Sequence, residues 1–227
     1  MDLYRDFSFI YYQDKDFYYF RKPAGLASTR WKSVSFLDLM WDEKYNLVIE
    51  NIVASQRVFF GKEMEFWLLN RLDWPTTGLL YFAKNPRVYQ KFRKFQKMEK
   101  IDKFYIAEVY GNIQKWIGIN GYIIDYPIMH HRFSDDRMVV LKSQEDEKKW
   151  KWNIHTVQTE ICEVEYDEKE NRSIIMVKIH KWVRHQIRVH LSSIGYPICW
   201  DSLYCKSKDQ IFDKLQLFSI GMDVGFL

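Results

Sequence analysis

A short turn-forming segment between two apolar runs constrains this chain most: Asn70-Arg71-Leu72-Asp73-Trp74-Pro75-Thr76-Thr77-Gly78. Met64-Glu65-Phe66-Trp67-Leu68-Leu69 precedes it and Leu79-Leu80-Tyr81-Phe82-Ala83 follows it. Short apolar and aromatic runs bounded by turn residues read as strands of a buried sheet. Pro75 and Gly78 punctuate the connection. Asp73 is thereby placed on a tight loop at a sheet edge, where rigid scaffolds often carry catalytic groups. A lone aspartate in a turn is more often the salt-bridge partner of a nearby cation such as Arg71. The segment alone leaves both roles open.

The rest of the chain extends the same pattern. Phe7 to Phe20 alternates aromatic and polar residues and reads as one or two strands, after which Lys22-Pro23-Ala24-Gly25 turns the chain. Pro86 to Lys100 reads as a helix with proline in its first turn. Its expected buried stripe is Val88, Phe92, Phe95 and Met98. Phe104 to Tyr110 and the β-branched run Ser173 to Ile179 read as strands. Val183 to Ile194 reads as a helix with Val183, Ile187, Leu191 and Ile194 on its core face, stopped by Gly195 and Pro197. Many strands with interspersed helices, in no regular βαβ order, define an α+β fold. No repeat or Gly/Ser/Pro linker divides the chain. The polar stretch Lys142–Lys151 reads as a solvated loop, so residues 1–227 are expected to form one domain of two closely joined subdomains.

Composition narrows the class. At 47% hydrophobic residues the chain can bury a sizeable core, which excludes a disordered polymer. The net charge of +4 is mild. Its distribution is not: Lys84 to Lys103 holds eight basic residues against two acidic ones, a local net of +6 able to neutralise phosphates. Cys162, Cys199 and Cys205 lack metal-ligand spacing and fit reduced thiols. His185 and His190, five apart, do not make a zinc pair on a helix. There is no signal-peptide h-region and no run of membrane-spanning length, so a cytoplasmic protein is expected.

Three motifs resemble those of the RluA family of RNA pseudouridine synthases. Asn70-Arg71-Leu72-Asp73-Trp74-Pro75-Thr76-Thr77-Gly78-Leu79 resembles His-Arg-Leu-Asp-x-x-Thr-Ser-Gly-Leu, with Asn70 for histidine and Thr77 for serine. Lys103-Phe104-Tyr105-Ile106-Ala107-Glu108-Val109-Tyr110-Gly111 resembles Lys-x-Tyr-x-Ala-x-Val-x-Gly. Lys181 to Leu191 resembles the family's Gly-Arg-x-His-Gln-Ile-Arg-x-His-Leu, with Trp182 for glycine and Val183 for arginine. Fainter likenesses are Lys22-Pro23-Ala24-Gly25, the stretch Gly195–Tyr204 with Trp200 for a glycine, and Leu215–Ser219 with Phe218 for a histidine. Cys205 also replaces the glycine after Tyr204.

The resemblance implies the pseudouridine synthase fold: a mixed, mainly antiparallel central sheet flanked by helices, with the active-site cleft across the sheet. It implies Asp73 as the catalytic residue and Tyr105 as the aromatic that stacks on the target uracil. It implies Arg188 as the arginine that pairs with the aspartate, a pairing that keeps a carboxylate ionised in an apolar cleft. Arg184 and Arg188, four apart, are expected on one helix face away from the apolar stripe. Arg71, Lys91, Lys94, Lys97, Arg184 and His185 are the candidates to contact RNA. The implied reaction breaks the N1–C1′ bond of a uridine, rotates the uracil and joins C5 to C1′. It needs no metal or redox cofactor. A uridine inside a helix must first be flipped out.

The expected substrate is ribosomal or transfer RNA, the expected state a monomer, and the expected form one without the family's small S4-like N-terminal RNA-binding domain. Two alternatives remain. An RNA-binding protein that keeps the fold without activity is motivated by Asn70, Trp182, Val183 and Phe218. A glycoside hydrolase is disfavoured, because such enzymes commonly use two flanking carboxylates and the motifs supply one.

Overall fold

The computed structural model describes residues 11–29, 34–41, 68–143, 153–205 and 214–225. Its chain forms two compact units, one of Met1–Lys97 with Phe226–Leu227 and one of Met98–Gly225.

In the first unit, β1 (Tyr11–Gln13), β2 (Phe17–Lys22) and β3 (Thr77–Ala83) pair antiparallel in that order. Asp14 organises the β1–β2 turn, its Oδ1 accepting the Asp16 and Phe17 amides at 2.8 Å each. Phe20 is fully buried and meets Phe82 and Phe36 edge-on, with ring centroids 5.3 and 6.1 Å apart. Phe36 opens α1 (Phe36–Trp41). A capping box holds that helix start: Ser35 Oγ accepts the Asp38 amide while Asp38 Oδ2 accepts the Ser35 amide. Of the run before the Asp73 segment, Leu68 bridges Phe82 and the Leu69 amide donates to the Tyr81 carbonyl at 2.8 Å. Residues 64–67 of that run, 7–10 of the first strand and 144–151 of the polar loop lie outside the described residues.

Helix α2 (Pro86–Lys97) begins where expected, with the Asn85 carboxamide accepting the Val88 amide at 3.0 Å. It stops three residues early. Glu99 turns left-handed at φ 55°, so the chain leaves the helix before Met98 can join the stripe. Val88 and Phe92 are buried, Phe95 is half-buried, and Met98 is 47% exposed.

The second unit is built on an antiparallel sheet in the order β10 (Leu217–Asp223), β4 (Asp102–Tyr110), β9 (Arg172–Ile179), β8 (Thr159–Asp167), β5 (Ile123–Ile124). A separate hairpin pairs β6 (Ile128–His130) with β7 (Met138–Val140). Alternation along β4 buries Lys103, Tyr105, Ala107 and Val109 and turns Ile106 outward. Helices α3 (Gln114–Asn120) and α4 (Gln186–Ser193) flank these strands. Val189 of α4 packs with Ile128, Met138 and Val157 in one buried cluster. The expected α+β, mainly antiparallel architecture is the one observed. No helix among the described residues is long and apolar enough to cross a membrane.

Helix α4 is shorter at its start than Val183–Ile194. His185 adopts φ 56°, ψ 16°, a left-handed conformation that no helix can run through, so helical bonding begins at Gln186. Its end is as read. Gly195 is left-handed at φ 90°, its amide donates to Ser192, and the Tyr196 amide donates to Leu191, which is the Schellman pattern.

His190, fully buried on this helix, carries a stability consequence. Its Nε2–H donates to the Tyr126 carbonyl and its Nδ1 accepts from the Thr159 hydroxyl, each at 2.9 Å. Burial pulls its pKa from 6.5 to about 4, against the opposing pull of the Tyr126 bond and Asp125. Between those values the unfolded chain holds a proton that the folded chain does not. This contribution is therefore complete above pH 6.5 and is lost as the pH falls through about 4. Denaturant midpoints across that window should decline in the wild type and decline less in His190→Gln.

Candidate active site

In the first unit, the Asp73 loop is fixed almost entirely through backbone groups. The Leu72 carbonyl accepts from the buried Ser28 hydroxyl at 3.0 Å, and the Leu72 amide donates back to that oxygen at 2.9 Å. The Asp73 carbonyl accepts the Thr76 amide at 3.0 Å, closing the turn. The Trp74 carbonyl accepts the Gly25 amide at 3.0 Å and the Lys22 ammonium at 3.3 Å. Lys22 also donates to the carbonyls of Pro23 and Leu26, at 2.8 and 2.6 Å. The ammonium is wholly buried, and burial pulls its pKa from 10.5 to about 7, opposed by the charge of Asp73. The Lys22–Gly25 turn therefore serves as the floor of the Asp73 loop. Gly25 takes φ 78°, which suits a residue without a side chain.

Asn70 fills the position of the family's histidine, and the structure gives it work. It is buried, its Nδ2 donates to the Leu79 carbonyl at 2.9 Å, and its Oδ1 accepts the Tyr81 amide at 2.8 Å. One carboxamide thus staples the start of the loop to β3 using both a donor and an acceptor. Asn70→Ala removes the partner of the Leu79 carbonyl and of the Tyr81 amide and should destabilise the protein by roughly 1–3 kcal/mol in urea denaturation. Asp73 itself is half-buried and Arg71 is exposed.

In the second unit, Tyr105 is buried on β4, in register with Ser219 of β10 and Val177 of β9. Beside it along the same face, the Lys103 ammonium stands 3.1 Å from the centre of the Trp182 ring. Trp182 occupies a family glycine position and needs no left-handed backbone there. Trp200, at another such position, does: its φ is 56°. A left-handed non-glycine residue costs roughly 1 kcal/mol. The Arg172 guanidinium stands 5.0 Å over its indole.

Arg188 is buried and held side-on by a carboxylate that sequence reasoning missed. Its Nε and Nη2 donate to Asp201 Oδ2 and Oδ1, both at 2.7 Å. Asp201 is itself buried, and its Oδ1 also accepts the Leu203 and Tyr204 amides. The available signal was the acid in the Gly195–Tyr204 likeness. Arg184 lies outside α4 because of the break at His185, so it does not share a helix face with Arg188. It is exposed, donating to the Asp135 carbonyl at 2.7 Å, with Asp136 at 3.6 Å. His185 is buried, its Nδ1 and the Tyr204 hydroxyl are hydrogen-bonded at 2.9 Å, and the rings meet edge-on at 5.6 Å. On α2, Lys94 and Lys97 are exposed and Lys91 is half-buried.

Comparison with known proteins identifies the family. The model of the family described as RNA pseudouridylate synthase matches residues 16–193. The chain belongs to that family. It is 30% identical over 195 residues to an uncharacterized RNA pseudouridine synthase of Aquifex aeolicus, covering 86% of this chain and 55% of that one. It is 25% identical over 212 residues to the dual-specificity RNA pseudouridine synthase RluA of Vibrio parahaemolyticus, covering 92% and 74%. It therefore spans from about half to three-quarters of the length of these relatives. In fold it is similar to human RNA Pseudouridylate Synthase Domain Containing 1, with a TM-score of 0.64 at 21% identity over 95% of this chain and 77% of that one.

Proposed function

We propose that this protein isomerises uridine to pseudouridine in a stable RNA, as an RluA-type synthase, with Asp73 as its catalytic carboxylate. The observation that carries this reading is the Asp73 loop: a family-motif aspartate held on a backbone pinned by Lys22, Ser28 and Asn70. Catalysis by a positioned group depends on such rigidity. In the reaction the N1–C1′ bond breaks and the C5–C1′ bond forms. C5 loses a proton and N1 gains one, so atoms and charge balance without a co-reactant. Tyr105 is the ring that grips the detached uracil, and Arg188 is the cation that serves the aspartate. Asp201 supports the second role, because a bidentate partner fixes the guanidinium in one orientation.

Arg71, Lys91, Lys94, Lys97, Arg184 and His185 belong to the RNA-contacting set of this reading. The substrate is ribosomal or transfer RNA. The Vibrio relative is described as dual-specificity, and a Borreliella burgdorferi relative, 25% identical over 95% of this chain and 61% of that one, as a ribosomal large subunit synthase. The protein works as a monomeric single catalytic domain in the cytoplasm. Pseudouridine mapping of all stable RNAs in cells with and without the gene tests the proposal. At least one site should vanish without the gene and return with the wild type. RNA binding with no site affected would instead identify an inactive RNA-binding protein.

The lysines give a separate expectation. Lys94→Glu with Lys97→Glu should weaken RNA binding, and the slope of log affinity against log salt should fall by about 1 for each phosphate no longer neutralised. An unchanged slope would reduce them to a solvated helix face.

A further inference from the structure

Trp74 follows Asp73 directly and is 58% exposed, although it is among the largest apolar side chains of the chain. Its backbone is restrained, since its carbonyl takes bonds from both Gly25 and Lys22. Its six-membered ring lies over Gly25, where a Cβ would stand 3.8 Å from Cζ2. Among the described residues no ring or cation stacks on it. A tryptophan held this firmly and left this open presents a preorganised flat surface. Water is a poor occupant for that surface and a nucleobase is a good one. Arg71, also exposed, stands three positions earlier on the same loop and offers a cation for the phosphate of the same nucleotide.

We infer that Trp74 is a specificity-determining residue: the platform on which the base next to the target uridine stacks. The inference rests on Asp73 being the catalytic carboxylate, because that places the target uridine at the neighbouring residue. Stacking is tolerant of base identity but demands a base. The preference it creates is for a target uridine whose neighbour is unpaired and free to lie flat on the indole, a purine above a pyrimidine because of its larger face.

The test is a thermodynamic cycle between this side chain and that base. The probe is a short single-stranded RNA of adenosines around one uridine, end-labelled for anisotropy, with and without abasic sites flanking the uridine. Trp74→Ala should weaken binding of the intact strand by about 5- to 100-fold, the span for loss of one base–aromatic stack. Trp74→Phe should restore most of it. An abasic neighbour should weaken the wild type by a similar factor and leave Trp74→Ala nearly unaffected. Equal abasic losses in both proteins would overturn the inference. So would unchanged affinity in Trp74→Ala, no recovery with Trp74→Phe, or no binding of the intact strand by the wild type. Pseudouridine formed in the same strand is read separately. Coupling without isomerisation counts against the catalytic reading and not against the platform, and isomerisation without coupling does the reverse.

Discussion

Asp73→Asn should abolish pseudouridine formation while leaving the fold and RNA affinity in place. The substitution keeps the size and shape of the side chain and removes its charge. The bonds that shape the loop run through Asn70, Leu72 and the carbonyls of Asp73 and Trp74, none of which changes. The loss should then be chemical. Removing the group that meets the reacting atoms commonly lowers turnover by a thousandfold or more, about 4 kcal/mol in the barrier. Single-turnover assays on an RNA identified by mapping, with affinity measured in parallel, separate the two effects. An Asp73→Asn protein that still converts its uridine would remove Asp73 from the mechanism.

Asp201→Ala should give the largest loss of stability. The carboxylate is fully buried, and so is the guanidinium it holds. Deleting it removes the bidentate partner of a buried charge and the acceptor of the Leu203 and Tyr204 amides. Breaking one partner of a buried ion pair costs about 3–5 kcal/mol. In a chain of this size that lowers Tm by roughly 10 °C. Adding Arg188→Met should recover part of the loss, because the buried charge goes too. A single variant that melts with the wild type would mean that water or another group already compensates Arg188.

Much of the fold was legible because its signals are local. Leu79–Ala83, Phe104–Tyr110 and Ser173–Ile179 are apolar or β-branched runs, and they fall within the strands Thr77–Ala83, Asp102–Tyr110 and Arg172–Ile179. Gly195 stops α4 as a glycine should. The misses come where a single backbone angle decides. Nothing in the side chains of Glu99 or His185 announces a left-handed turn, yet those turns expel Met98 from its stripe and separate Arg184 from Arg188. The motifs named Asp73, Tyr105 and Arg188 as candidates because those side chains stand in order and at spacing. They did not reveal Lys22 or Asp201 as supports, because a supporting role depends on which carbonyls or amides a side chain meets after folding.

Lys22 stands 52 residues before the carbonyl it holds at Trp74. The shape of the Asp73 loop is therefore stored partly in a distant stretch of chain. A chain cut after Leu26 would keep every residue of the loop and lose the peg that holds it.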